Sequence, residues 1–200
     1  YTYGTNGGYT NTSAYETAWC IRTVIERPDG SFLTQYFDEV GQGLSRVISD
    51  IDPASASNFW STKVTRSSIG CVTAISTPEN STGYTHDPGV DPAGTIATSA
   101  SVGLVRAIER ATSDEFTGFA TDWKHKKGTS GTAYMEGSQA FDDTVYKTIT
   151  DVVIVRPLIY TSVVYPEETT GSTGALTTTF SNDDYGAGYL ALEKITQTNP

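Results

Sequence analysis

The sequence has few basic residues. Lys and Arg number 13 against 23 Asp and Glu, which gives a formal net charge of −10. Phosphate groups are bound by clustered positive charge, so this balance argues against a nucleic-acid partner and against an anionic membrane surface. The one basic cluster, Lys124-His125-Lys126-Lys127, is predicted to be a solvated loop.

Long apolar runs are missing too, and no stretch is long enough to cross a bilayer. We therefore predict no membrane insertion.

The sequence opens Tyr1-Thr2-Tyr3-Gly4, without Met or a basic segment that would indicate a signal peptide. It closes in mid-pattern at Asn199-Pro200. We interpret residues 1–200 as a single β-rich module, a mature fragment or a repeat unit of a longer protein.

Residues that carry chemistry are scarce. Structural zinc needs about four closely spaced Cys or His, whereas Cys20, Cys71, His86 and His125 are far apart in the sequence. Only those two His could serve as bases, and neither the Gly-x-Ser-x-Gly nor the Gly-x-x-x-x-Gly-Lys pattern occurs. The sequence therefore predicts no catalytic residues, no metal site and no cofactor, and a protein that is not an enzyme.

What the chain does contain favours strands. Thr, Val, Ile and Tyr recur, there is a single Met, and 19 Gly and 8 Pro supply frequent turns. The charged fraction is only 18%, because Thr and Ser replace charge on the exposed faces. We predict an all-β, antiparallel fold with little helix. The Thr- and Ser-rich composition is common in secreted β proteins.

Two stretches align at an offset of about 50 residues. Thr23 to Gly30 and Thr73 to Asn80 each read as a strand that ends in a turn opened by Pro. An aromatic residue and an Asp follow each turn, at Tyr36-Phe37-Asp38 and at Tyr84 to Asp87. The turn chemistry predicts positive φ at Gly30 and at Asn80.

This unit of strand, Pro-Asp-Gly turn, strand and Tyr-x-Asp resembles an RHS or YD repeat. The resemblance covers less than half of the chain and is weaker at both termini. Gln42 and Gly43 stand where the family usually has Arg and Leu, and residues 90–179 show no clear repeat. The motif residues of the first copy, residues 22–46, are Pro28, Asp29, Gly30, Tyr36, Asp38 and Gly41, and those of the second, residues 70–87, are Pro78, Asn80, Tyr84 and Asp87.

The resemblance implies a structural module of an extracellular or cell-surface scaffold that forms a shell, a fibre or a filament. Its partners would be further copies or neighbouring repeats of the same protein. The alternative is a carbohydrate-binding or adhesin module that binds a glycan through exposed Trp or Tyr. A secreted hydrolase would require a cleft holding His86 or His125 beside an acid.

Two smaller expectations concern side-chain chemistry. The repeat alignment places Cys20 and Cys71 on opposite faces of a strand, so no disulfide is expected between them. Asn11 and Asn80 lie in Asn-x-Ser/Thr sequons, which matter only in a glycosylating secretory system.

Overall fold

The computed structural model describes residues 1–7, 19–55, 58–67, 69–86, 96–111, 118–142, 145–149, 152–155, 158–165, 174–184 and 190–198. Over these residues the chain is all-β, as predicted, and its regular elements are antiparallel strands and one turn of 3-10 helix at Pro78–Asn80. The strands are β1 Thr2–Thr5, β2 Ile21–Glu26, β3 Phe32–Phe37, β4 Gly43–Ser49, β5 Phe59–Arg66, β6 Val72–Ser76, β7 Ser81–Tyr84, β8 Ile96–Thr98, β9 Leu104–Arg110, β10 Ala120–Lys127, β11 Ala133–Asp142, β12 Val145–Ile149, β13 Val152–Val155, β14 Leu158–Val164, β15 Leu176–Asp184 and β16 Leu190–Thr198.

The chain divides into two compact units. The first comprises Tyr1–Ala107 with Lys126–Thr132, and the second comprises Ile108–His125 with Ala133–Pro200. In the first unit the hydrogen-bonded order is β1-β2-β3-β4-β5-β6 followed by residues 104–107 of β9, and β7 and β8 form a separate pair. In the second unit the order is residues 120–125 of β10 followed by β11-β14-β15-β16, and β12 pairs with β13.

Three hairpin turns of the first unit share one geometry. In each, the Gly N–H donates to the carbonyl three residues earlier, at 3.0 Å for Gly30 and Arg27, 3.2 Å for Gly41 and Asp38, and 2.8 Å for Gly70 and Ser67. The three Gly have φ of 81°, 82° and 79°. At Gly30 and Gly41 this pattern matches a type I turn followed by a left-handed residue, the three-residue hairpin loop with a Gly bulge. The positive φ predicted for Gly30 is confirmed.

The second predicted copy folds differently from the first. Asn80 is the last residue of the 3-10 helix, which is right-handed, so the predicted positive φ is wrong. Strand β6 pairs with β5 and β9, whereas β7 leaves this sheet to pair with β8. Tertiary contacts explain the difference, because the Asn80 amide donates from Nδ2 to the carbonyls of Ser99 and Val102, at 2.8 and 2.5 Å.

One face of the first sheet is covered by β7 and β8. Thr34, Val47 and Ser61 lie on one rung of this face and are all buried. The Ser61 hydroxyl lies 2.6 Å from that of Ser81 on β7. The core beneath this cover contains Trp19, Tyr36, Leu44, Val47 and Ile96, with Phe59 and Tyr84 packed against it.

The opposite face carries an apolar row. Ile25 pairs with Leu33, Leu33 with Ile48, and Ile48 with Trp60, so the four side chains follow one rung across four strands. Trp60 is 56% exposed. We refer to these four residues as the open-face row.

The basic cluster lies in a strand rather than in a loop, so that prediction was wrong. Lys124 to Lys127 form the second half of β10. The Lys124 Nζ lies 2.5 Å from the Glu109 carboxylate, and the His125 Nδ1 lies 3.4 Å from the Glu136 carboxylate. Lys124 and His125 therefore each meet an acid on a neighbouring strand, which helps to explain why a basic run is accommodated in a β-sheet here.

Both cysteines are free thiols. Cys20 precedes β2 and Cys71 precedes β6, which are four positions apart in the sheet order. At ~4.8 Å per strand that is about 19 Å, well beyond the Cα separation that a disulfide spans.

In the portion of the chain that the structure describes, no helix has both the length and the apolar character needed to cross a membrane.

Candidate functional site

A polar cluster of the first unit joins β3 to the end of β7. The hydroxyls of Tyr36 and Tyr84 lie 3.0 Å apart. Tyr36 also donates to the carbonyl oxygen of His86, at 2.7 Å, and the Tyr84 hydroxyl lies 2.9 Å from Nδ1 of the His86 ring. Tyr36 is thus tied to Tyr84 and His86, which lie 48 and 50 residues further along the chain.

Arg22 completes this cluster from the neighbouring strand. It pairs with Tyr36 in the sheet register, and its Nη1 donates to the His86 carbonyl at 2.7 Å. Its guanidinium lies 5.6 Å from the centre of the Trp19 ring, a cation–π contact. Trp19 in turn packs edge-on against Tyr36, with ring centres 5.5 Å apart. The guanidinium is therefore held in one position.

Burial governs the acidity of the two phenols. Loss of solvation raises the pKa of Tyr36 strongly, and the nearby Tyr84 raises it further. Burial raises the pKa of Tyr84 as well. Both groups consequently stay protonated and act as hydrogen-bond donors rather than as bases or nucleophiles.

A cleft of about 220 Å³ lies beside the cluster. Arg22, Val24 and Phe32 line it from the covered face of the sheet, His86 lines it from the end of β7, and Asp52 lines it from the loop between β4 and β5. It combines one cationic and one anionic side chain with an apolar floor. Cleft residues of this kind can hold a small polar ligand.

The motif residues of the first copy build turns and core. Asp38 is 3% exposed, and its Oδ1 accepts from the N–H groups of Val40 and Gln42, at 3.0 and 2.7 Å. Asp29 caps the preceding turn in the same way through Ser31, at 2.9 Å from its N–H. The hydrogen bonds from Ser31 lower the pKa of the Asp29 carboxyl. Pro28 and Gly30 belong to that same turn.

The second copy brings only some of its residues to the cluster. Tyr84 is part of it, whereas Pro78 and Asn80 form the 3-10 helix beside β9. Asp87 lies outside the described residues. Asn80 is fully buried, and its Nδ2, the atom that a glycan would occupy, already donates to two carbonyls.

Comparison of the chain with known protein families, with curated proteins and with solved structures finds no match.

Acid–base pairs also occur in the second unit. The His125 ring stacks on Tyr134 with centres 5.7 Å apart and faces Glu136. Burial raises the pKa of Asp122, while the hydrogen bond from Lys124 lowers the pKa of Glu109. Within the ranges that the structure describes, no group of three or more His, Cys, Asp or Glu could hold a metal ion.

The three Trp occupy different environments. Trp19 is buried at 2% exposure, Trp123 is half-buried, and Trp60 is exposed on the open-face row. Sequence reasoning treated them alike and also missed Arg22 and the His86 carbonyl as parts of the cluster. No local signal marks them, because their partners come from 50 or more residues away along the chain.

Proposed function

We propose that the chain is a structural β-sheet module of an extracellular or cell-surface scaffold of the RHS/YD-repeat kind, rather than an enzyme. The proposal rests on the burial and the hydrogen bonds of Tyr36 and Asp38. Both motif residues are buried, Tyr36 in the core and Asp38 in its turn, and both direct their polar atoms at neighbouring backbone groups. A Tyr-x-Asp motif of this kind has a structural role, because its polar side-chain atoms already bond backbone groups of the same chain.

The recurring turn supports the same role. The turns at Gly30, Gly41 and Gly70 join consecutive strands of one sheet by the same hydrogen bonds. A sheet built by repeating one hairpin is extended by adding further hairpins, without changing those already present. Such a design suits a scaffold made of many similar units.

The edge strand β1 offers a place for extension. Over the described ranges no strand pairs with its outer edge, and Thr2–Thr5 contain neither charge nor Pro. Its pairing with β2 continues without a bulge from Thr2 to Thr5. An edge without charge, Pro or a bulge lacks three of the features that usually prevent pairing with another strand. We propose that the partner is a neighbouring module of the same protein.

Sedimentation velocity over a range of concentrations tests this proposal. The chain should associate as concentration rises, and Tyr3→Lys in β1 should weaken the association. Tyr1→Lys is the matched control, since it makes the same charge change at an exposed residue outside the strand. A chain that stays monomeric throughout, or two variants with equal effect, would contradict edge pairing.

A second candidate function is glycan binding through Trp60. An exposed indole beside apolar neighbours on a sheet face can stack on a sugar ring. A glycan array probed with the chain and with Trp60→Ala tests it. Loss of bound signal in the variant alone supports the candidate, and identical arrays contradict it.

A further inference from the structure

The cleft beside Arg22 has charge of opposite sign at its two ends. Arg22 and His86 line one end. Asp52 follows closely after Ser49, which pairs with Phe32, so Asp52 lies towards the Phe32 end. Along the strands, four residues separate Arg22 from Glu26, the register partner of Phe32, which corresponds to ~14 Å.

The cationic end is fixed before any ligand arrives. The guanidinium of Arg22 lies against Gly4, where a Cβ would stand only 3.0 Å from Nη2. Trp19 packs against the guanidinium, and the His86 carbonyl holds Nη1. A planar guanidinium held in this way recognises carboxylates well, because little conformational freedom is lost on binding.

The anionic end is also held. Asp52 accepts the Ala54 N–H on Oδ1, at 2.9 Å, and its backbone carbonyl accepts the Ser55 N–H. Its Oδ2 has no partner among the residues that the structure describes. A carboxylate oxygen at the rim of a cleft favours an ammonium group or another strong donor.

Val24 and Phe32 lie between the two ends and form an apolar floor. From this arrangement we infer that the cleft binds a small zwitterion whose carboxylate and ammonium groups are separated by an apolar stem. The carboxylate pairs with Arg22, the ammonium pairs with Asp52, and the stem covers Val24 and Phe32. This inference does not rest on the scaffold role proposed above.

Three probes of equal stem length separate the contributions. They are 6-aminohexanoate, hexanoate, which lacks the ammonium, and pentylamine, which lacks the carboxylate. Titrations of the full chain followed by amide chemical shifts should show saturable changes at Gly4, Arg22 and Val24. We expect 6-aminohexanoate to bind at least about fivefold more tightly than either single-charge probe, as expected for gaining one partly screened ion pair.

Two matched variants locate the ammonium contact. Asp52→Asn keeps an oxygen for the Ala54 N–H and removes the charge, so it should abolish the preference for 6-aminohexanoate over hexanoate. Asp50→Asn makes the same change two residues earlier, at an exposed residue that does not line the cleft and contacts Asn58. It should leave the preference intact.

Four results would contradict zwitterion binding in the cleft. Equal affinity for 6-aminohexanoate and hexanoate, equal effects of Asp52→Asn and Asp50→Asn, or no saturable shift at cleft amides would each overturn the inference. Binding that shifts the amides around Trp60 instead would also overturn it, because Trp60 lies on the opposite face of the sheet.

Discussion

The side-chain oxygen of Tyr36 lies 2.7 Å from the carbonyl oxygen of His86, fifty residues further along the chain. That bond fastens the end of the covering strand β7 to the third strand of the sheet. Tyr36 is also 1% exposed, so water has little access to its side chain. The stability of the first unit should therefore depend on this hydroxyl.

Tyr36→Phe should destabilise the chain by about 1–2 kcal/mol, since it removes a buried hydrogen bond and leaves the Tyr84 hydroxyl without one of its partners. Urea denaturation at neutral pH measures the loss. Tyr3→Phe, at a residue that is 72% exposed, is the control and should change little. Equal midpoints for the two variants would contradict a structural role for the hydroxyl.

The same phenols predict a loss of stability at high pH. Their pKa values are raised in the folded chain, so the unfolded chain loses these protons first. Their contribution is present below about pH 10, the ordinary Tyr pKa, and falls as pH rises further, by up to about 1.4 kcal/mol per pH unit for each group. Denaturation midpoints at pH 9, 10 and 11 should fall more steeply for the wild type than for Tyr36→Phe. Parallel curves would argue against the raised pKa.

Two Gly with similar backbone angles should respond differently to Ala. Gly30 and Gly103 have φ of 81° and 76°, but a Cβ on Gly30 meets nothing within 4 Å, whereas one on Gly103 would collide with the backbone of Glu79 and Asn80. Gly30→Ala should cost about 1–2 kcal/mol from backbone strain alone. Gly103→Ala adds overpacking and should cost about 3 kcal/mol or more. Similar denaturation midpoints for the two variants would contradict a collision between a Cβ at position 103 and the backbone of Glu79 and Asn80.

The turn acids Asp38 and Asp29 form a second matched pair. Asp38 accepts two backbone N–H groups and is buried, whereas Asp29 accepts the N–H and the hydroxyl of Ser31 and is exposed. Asp38→Ala leaves the Val40 and Gln42 N–H groups without a partner and should cost about 2–3 kcal/mol. Asp29→Ala should have a smaller effect, because water can take its place. The reverse order of midpoints would disprove the capping role of Asp38.

Asn80 should be intolerant of change and should carry no glycan in the folded protein. Asn80→Gly removes both Nδ2 hydrogen bonds from a fully buried position and should cost about 2–4 kcal/mol. Asn58→Gly, at an exposed loop residue, is the control.

Peptide mass mapping of protein secreted by a glycosylating host should find Asn80 unmodified. A glycan there in folded protein would be incompatible with this packing.

Local chemistry was sufficient to predict part of this structure. Pro28, Asp29 and Gly30 specify their turn because the ring of Pro, the side chain of Asp and the freedom of Gly act within four residues. Thr77 to Asn80 offer similar signals, yet the segment becomes a 3-10 helix because Ser99 and Val102 bind the Asn80 amide. The cluster of Tyr36, Tyr84 and Arg22 depends on register between distant strands, which no local pattern encodes.

The contact between Gly4 and Arg22 has a consequence for sequence divergence. A Cβ at position 4 would stand 3.0 Å from Nη2 of Arg22, so any side chain there would displace the guanidinium by a few tenths of an ångström. A larger residue at position 4 would therefore favour a shorter residue at position 22, and losing Arg22 would also remove its contacts with Trp19 and the His86 carbonyl. The two positions should therefore covary when sequences related to this chain are aligned. Arg22 on β2 would in this way limit which residues can replace Gly4 on the edge strand β1.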